Sequence, residues 1–273
     1  MVVFPNAKIN LGLRITSKRP DGYHDLDTVF YPIAFNDVLE IVVQPSTNNS
    51  NLSFSSSGLL IPGDHSANLC VKAYGLLKKK FPELPTVQMH LHKNIPMGAG
   101  LGGGSSDGAF TIRLLNDKFK LGLSETELLE MALELGSDCP FFIKNTPVKA
   151  AGRGEIMESI SMDLSNKKIL LVLPGIHVST ANAFKNCPIH NDVASCASIL
   201  EKPIADWKDH LVNDFESTVF PLFPALAEIK QQLYEMGAVY ASMSGTGSTI
   251  YGIFEGIPDF EGKFDKQYQV VLL

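Results

Sequence analysis

Residues 96–108 read Pro96-Met97-Gly98-Ala99-Gly100-Leu101-Gly102-Gly103-Gly104-Ser105-Ser106-Asp107-Gly108, and six of the thirteen are glycine. So many bare backbone positions leave N–H groups free to converge, and ordering them costs chain entropy that a plain turn has no need to spend. A concavity of amides running into a helix start at Ser105, Ser106 and Asp107 favours an anion, through the amides themselves and the positive end of the helix dipole. Phosphate is the commonest such anion, so the stretch reads as a phosphate loop.

Gly98, Gly100 and Gly103 also spell G-x-G-x-x-G, a pattern shared by dinucleotide folds and protein kinases. The flanking sequence argues against both. Residues 87–94 alternate apolar Val87, Met89 and Leu91 with polar Gln88, His90 and His92. That is the pattern of a half-exposed antiparallel strand, where a dinucleotide fold opens on a strand apolar throughout. No Gly-Lys-Ser/Thr closes the loop, and the kinase His-Arg-Asp and Asp-Phe-Gly tripeptides are missing from the chain.

Working outward from the loop, residues 4–15 place Ala7, Ile9, Leu11 and Leu13 on one face of a strand and Lys8, Asn10 and Gly12 on the other. Lys8 and Asn10 therefore point the same way, either into solvent, as strand lysines usually do, or into a site. Pro20-Asp21-Gly22 is a turn signal that displays Tyr23 and His24 at its edge, either for packing or to meet a planar ring. The serine- and asparagine-rich residues 46–58 offer little to bury and read as a flexible hairpin or surface insertion. Ser66 is placed to cap a helix carrying Leu69, Ala73, Leu76 and Leu77 inward, with Lys78, Lys79 and Lys80 at its negative end.

Beyond the loop, residues 107–119 read as a helix, and Ser124 with Glu127 forms a capping box for a second helix that stops at Gly136. Asp138 follows at once, wedged before Pro140-Phe141-Phe142. A carboxylate there is either a helix cap or a catalytic group held against apolar surface. Residues 169–173 form an apolar run fit for a buried strand that opens a second domain. Near the end, 239–243 and 250–254 flank Ser244-Gly245-Thr246-Gly247-Ser248, a second glycine loop, which suggests two loops closing on one ligand from opposite domains.

A chain of 273 residues exceeds the usual single-domain size, so two domains are expected. Its net charge of −6 argues against a general nucleic-acid binder. Cys70, Cys139, Cys187 and Cys196 show no C-x-x-C pairing, and neither a basic-then-apolar leader nor a long apolar span opens the chain. The expectation is a cytoplasmic protein with reduced thiols, with no membrane partner. His90 and His92 share a strand face fit to grip a metal, but no third ligand is in view, so no protein-held metal is expected.

Taken together, PNAKINLGLRI at residues 5–15, PMGAGLGGGSSDGA at 96–109 and SGTGS at 244–248 closely resemble the three motifs of the GHMP kinases. Within that group PDGYH, GLGGGSSD and GSDCPFF resemble the branch that phosphorylates a cytidine-diphosphate-bearing methylerythritol in the non-mevalonate isoprenoid pathway. The resemblance implies an α+β, two-domain GHMP kinase fold with its active site in the inter-domain cleft, an N-terminal ATP-binding domain over 1–160 and a C-terminal domain over 161–273. It implies ATP and Mg²⁺ as cofactors, a small-molecule cytidine-diphosphate substrate as partner, and a monomer or weak homodimer. By the same resemblance Lys8 and Asp138 align with the catalytic pair. Asn68, Lys93, Pro96, Met97, Gly98, Ala99, Gly100, Leu101, Gly102, Gly103, Gly104, Ser105 and Ser106 align with nucleotide-binding positions. Asn10, Tyr23, His24, Phe30 and Phe184 align with positions around the substrate and its cytosine. Asp107-Gly108 stands where family members often have Asn-Ala or Asp-Ala, so the acid either turns away from the triphosphate or helps to hold Mg²⁺. Mevalonate kinase is the nearest functional competitor; outside the family, a dinucleotide oxidoreductase and a catalytically silent sugar-phosphate binder are the rivals.

Overall fold

Twelve strands and nine α-helices are arranged in an α+β fold in the computed structural model, which describes residues 1–44, 52–185, 187–190 and 193–273. The strands are β1 (Val2–Val3), β2 (Asn6–Lys18), β3 (His24–Asn36), β4 (Val38–Val43), β5 (Leu52–Gly58), β6 (Val87–Lys93), β7 (Val148–Gly152), β8 (Ile156–Ser159), β9 (Lys168–Leu173), β10 (Tyr240–Met243), β11 (Ile250–Phe254) and β12 (Gln269–Leu272). The helices are α1 (Leu69–Lys80), α2 (Gly103–Phe119), α3 (Glu125–Leu135), α4 (Cys139–Lys144), α5 (Thr180–Phe184), α6 (Cys196–Leu200), α7 (Trp207–His210), α8 (Glu216–Val219) and α9 (Pro224–Glu235).

The chain divides into two compact units, each discontinuous in sequence. One comprises Met1–Ala7, Ala34–Met97 and Gly102–Thr146; the other comprises Lys8–Ile33, Gly98–Leu101 and Pro147–Leu273. The second unit takes residues from both ends of the chain. The physical reason is strand pairing: β3 joins β7 antiparallel, with Leu26 opposite Gly152 and Phe30 opposite Val148, so residues 8–33 gather with the chain beyond 147.

In the first unit a four-stranded sheet in the order β1-β4-β6-β5 lies with helices α1 to α4, α1 against α2 and α2 against α4. β6 alternates as its sequence predicts, with Val87, Met89 and Leu91 fully buried. Its two neighbours differ, however, since β4 pairs antiparallel and β5 parallel. The expected hairpin or insertion at 46–58 is thereby corrected over Leu52–Gly58, which is a strand; residues 46–51 lie outside the described residues. Its serines have partners on β6: Ser55 Oγ lies 2.8 Å from His90 Nδ1, and Ser57 Oγ 2.8 Å from His90 Nε2 and 2.9 Å from His92 Nδ1. Both histidines are thus bound into a hydroxyl ladder, and among the described residues no group of three or more His, Cys, Asp or Glu is placed to hold a metal.

α1 is capped by Asn68, whose Oδ1 accepts from Cys70 N–H at 2.8 Å, and Ser66 lies two residues upstream in a 3-10 turn. Either residue type caps well, so the cap differs from the expected one in position and not in chemistry. The Ser124–Glu127 capping box of α3 is present in full.

In the second unit β10-β11-β9-β12 form one sheet and β2-β3-β7-β8 another. α9 packs Leu226, Ile229 and Leu233 onto the first sheet, in a cluster that also holds Leu13, Leu170, Val172, Phe215 and Ile250. Burying a leucine or isoleucine side chain is worth about 1.5–3 kcal/mol, so this cluster anchors the strands that carry the second glycine loop.

Candidate active site

The glycines of residues 96–108 serve different ends. Gly98, Gly100 and Gly102 take φ of 67°, 79° and 69°, left-handed values that a side chain disfavours. Gly102 stands at the N-cap of α2 and offers no capping side chain, so the first-turn amides of a 17-residue helix are left to an incoming acceptor. Gly103 is glycine for packing: a Cβ there would lie 2.8 Å from Ile95 Cγ2 and 3.0 Å from Lys93 Nζ.

Gly98–Leu101 and the loop 244–248 belong to the same compact unit, while Gly102 and the residues after it belong to the other. Ser244 Oγ donates to Gly100 O at 2.8 Å, and Thr249 N–H donates to Ala99 O at 3.2 Å. Lys8 N–H donates to Leu101 O at 3.0 Å, which ties β2 to the same turn. The loops are adjacent because they hold each other.

Lys8 is only 4% exposed, so the polar face of β2 is interior and the solvated alternative falls. Its Nζ donates to Asn10 Oδ1 at 2.6 Å and stands 4.8 Å from the ring centre of Phe30. Asn10 Nδ2 donates to Thr28 Oγ1 at 2.9 Å, and Thr28 Oγ1 donates on to Gly12 O. The structure thus brings Lys8, Asn10 and Phe30 together. It adds Thr28, which sequence reading missed although Thr28 and Phe30 alternate onto one face of β3.

Tyr23, His24 and Phe184 lie in one unit, and Phe184 sits on α5. The His24 imidazole stacks on Phe184 with ring centres 4.8 Å apart and planes at 20°. Tyr23 is 56% exposed, and the Arg153 guanidinium stands 4.9 Å from its ring centre. Arg153 carried no sequence signal.

In the other unit Asn68, Met97 and Gly104 line one pocket of about 120 Å³ together with Asp64, His65 and Asp107. Ser105 and Ser106 follow in the first turn of α2, Ser106 fully buried with its Oγ unpartnered. Lys93 lies behind the pocket and does not line it: its side chain is fully buried, and Nζ donates to Asp37 Oδ2 at 2.5 Å and to Asp107 Oδ2 at 2.8 Å. Asp107 has turned inward, its Oδ2 taken by Lys93. Burial lowers the pKa of the Lys93 ammonium, but the charges of Asp107 and Asp37 outweigh that and raise it.

Asp138 occupies the N-cap position of α4 at φ −84° and ψ −15°, yet makes no capping hydrogen bond. The cap alternative is thereby excluded. Its neighbour Cys139 is buried, with a thiol pushed up to about 12, so it is no nucleophile.

Residues 68–145 match the family model for the GHMP kinases N terminal domain, and residues 197–262 the model for the GHMP kinases C terminal domain. A protein of Bacteroides thetaiotaomicron named 4-diphosphocytidyl-2-C-methyl-D-erythritol kinase is 52% identical over 255 residues, covering 93% of this chain and 92% of its own. One of that name from Cytophaga hutchinsonii is 51% identical over 260 residues, covering 95% and 94%. Among solved structures, a 4-(cytidine 5'-diphospho)-2C-methyl-D-erythritol kinase superposes with a TM-score of 0.81 at 30% identity, covering 94% of this chain and 91% of its own. The mevalonate kinase of Methanococcus jannaschii shares the fold, with a TM-score of 0.72 at 14% identity over all of this chain and 97% of its own.

Proposed function

We propose, from the premise that this chain belongs to the 4-diphosphocytidyl-2-C-methyl-D-erythritol kinases within the GHMP kinases, that Lys8 and Asp138 are its catalytic pair. The reaction is ATP-dependent phosphorylation of a hydroxyl of 4-diphosphocytidyl-2-C-methyl-D-erythritol, a step of the non-mevalonate isoprenoid pathway. What carries the assignment of roles is Lys8, a lysine buried in β2 with its ammonium against Asn10 and Phe30. An ammonium so withdrawn from water interacts strongly with any negative charge brought to it, and a phosphoryl in transfer brings that charge.

The residues present fit ATP. The uncapped start of α2 and the left-handed glycines before it offer amides to phosphate, and the pocket lined by Asn68, Met97 and Gly104 offers walls to the rest of a nucleotide. ATP supplies the transferred phosphoryl, and Mg²⁺ travelling with it neutralises phosphate charge; with Asp107 turned inward we assign no carboxylate to the metal. Residues 1–160 are read as the ATP-binding segment and 161–273 as the C-terminal segment, with one family match in each. Asp138 takes the hydroxyl proton, Lys8 faces the charge that develops, and Asn10 fixes Lys8. Four free cysteines, three of them buried, favour a cytoplasmic setting, and among the described residues no helix is long and apolar enough to cross a membrane.

ATP turnover measured against the cytidine-diphosphate methylerythritol, mevalonate and homoserine tests the reading. Turnover with the first alone is expected; equal use of mevalonate would refute the substrate while leaving the kinase standing. The aromatic residues give a second test. Base stacking is worth about 1–3 kcal/mol per contact, so Tyr23→Ala should raise KM for the cytidine substrate by about 5- to 150-fold with ATP affinity unchanged. Phe184→Ala should lie near the lower end. His24 already stacks on that ring, so a base arriving there exchanges one stack for another. Unchanged KM in both variants would move the base elsewhere.

A further inference from the structure

Beneath the phosphate loop lies a charged cluster that the proposed reaction does not use. Lys93 Nζ, 3.0 Å from where Gly103 would carry a Cβ, is shared between Asp37 and Asp107. The two carboxylates are unequally served. Asp37 accepts from Lys93 through Oδ2, and from the N–H groups of Asn94 and Ile95 through Oδ1 at 2.6 and 2.9 Å, three donors in all. Asp107 has Lys93 on Oδ2 and no partner on Oδ1, which is buried.

The remaining groups near Asp107 do not relieve it. Thr111 Oγ1 donates to the Asp107 carbonyl, not to its carboxylate. Cys70 on α1 is buried with its thiol pushed up, mainly by burial and then by Asp107, so it brings no charge. Asp64 and His65 line the same pocket from the 3-10 turn.

We infer that Asp107 is a positioning residue for the nucleotide, carrying a proton when ATP occupies the glycine loop and giving it up, with loss of affinity, when the pH is raised. The inference rests on the reading of residues 96–106 as the ATP phosphate loop. With Asp107 protonated, Lys93 and Asp37 cancel and the ground beneath the loop is neutral. With Asp107 ionised the cluster carries one net negative charge, placed behind amides that must receive a polyanion. Burial first, and the Asp37 charge after it, raise the Asp107 carboxyl to about 8 against the opposing pull of Lys93. A unit charge about 10 Å away, at the intermediate dielectric of a protein, shifts a pKa by about one unit. Bound phosphate is negative, so it raises the pKa again. Binding is then linked to proton uptake: affinity is full below pH 7 and falls as pH passes through the free-protein value.

The test is ATP affinity by calorimetry on the full chain with Mg²⁺, from pH 6.5 to 9, for wild type and Asp107→Asn, the uncharged mimic of the protonated acid. Wild-type Kd is expected to rise roughly fivefold between pH 7 and 9, and the variant's less than about twofold. Equal slopes in the two proteins, or a flat wild type, overturn the inference and leave the kinase reading intact. Absence of ATP binding and turnover by wild type at pH 7 overturns both. Should Asp107→Asn not fold, wild type alone decides: binding at pH 8 in buffers of different ionisation enthalpy should take up about 0.4 proton per ATP, and none would sink the proposal.

Discussion

Replacing Asp138 by Asn should lower kcat by about 10²–10⁴ while leaving Kd for ATP within a few fold. Asn keeps the shape and one acceptor but cannot take a proton from the substrate hydroxyl. The structure sharpens this expectation, because the rival role has gone: Asp138 stands at an N-cap position without capping, so loss of a cap, usually worth about 1 kcal/mol, is not among the consequences. A variant that turns over normally but melts early would restore the structural role. Lys8→Met tests the partner. It keeps the chain's length against Phe30 and removes the ammonium, and a loss of similar order is expected. If both groups serve one transition state, the double variant should be little worse than the poorer single one, because either loss alone already disables the step. A double variant as slow as the product of the two losses would show that they act independently.

What was legible in the sequence was local chemistry. Six glycines in thirteen positions, a capping box, and alternation in β6 each speak within a few residues, and each appears in the fold. Lys8 and Asn10 were placed on one face by strand periodicity, but whether that face was wet or dry depended on β3, whose Thr28 lies 18 residues from Asn10. The cluster beneath the loop was out of reach for the same reason, since Lys93 meets Asp37 across 56 residues and Asp107 across 14. Lys93 was carried over by resemblance as a nucleotide neighbour, and its ammonium belongs to an interior ion network. The serine-rich stretch misled because its hydroxyls looked suited only to water, when β6 presents His90 and His92 to receive them. Composition reports what a segment can bury, and pairing decides what it does bury.

A single methyl group at Gly100 should abolish ATP turnover, with a loss of more than about 100-fold, and lower the melting temperature by several degrees. Two effects act together. Gly100 sits at φ 79°, where an L-residue costs about 1–2 kcal/mol, and a Cβ built there would lie 1.9 Å from the carbonyl oxygen of Ser244 and 3.2 Å from that of Gly247. Those are backbone atoms in the second glycine loop, held by Asn213, whose Nδ2 donates to Met243 O and Gly245 O, so they cannot turn aside as a flexible side chain would. Gly100→Ala must therefore push the two loops apart. That separation breaks the hydrogen bonds from Ser244 Oγ to Gly100 O and from Thr249 N–H to Ala99 O, and the strain passes to Leu101, whose carbonyl accepts from Lys8 N–H. One methyl thus disturbs both the phosphate loop and the strand that presents Lys8. Gly104→Ala is the matched control for stability: the new Cβ meets only Met97, with Cε at 3.6 Å, an ordinary contact, and alanine in a helix is favoured over glycine by up to about 1 kcal/mol. The expected order of melting temperatures is Gly104→Ala at or above wild type, with Gly100→Ala well below both. A Gly100→Ala enzyme with wild-type stability and turnover would mean that the two glycine loops do not need to touch, and the bracing of the phosphate loop by residues 244–248 would have to be given up.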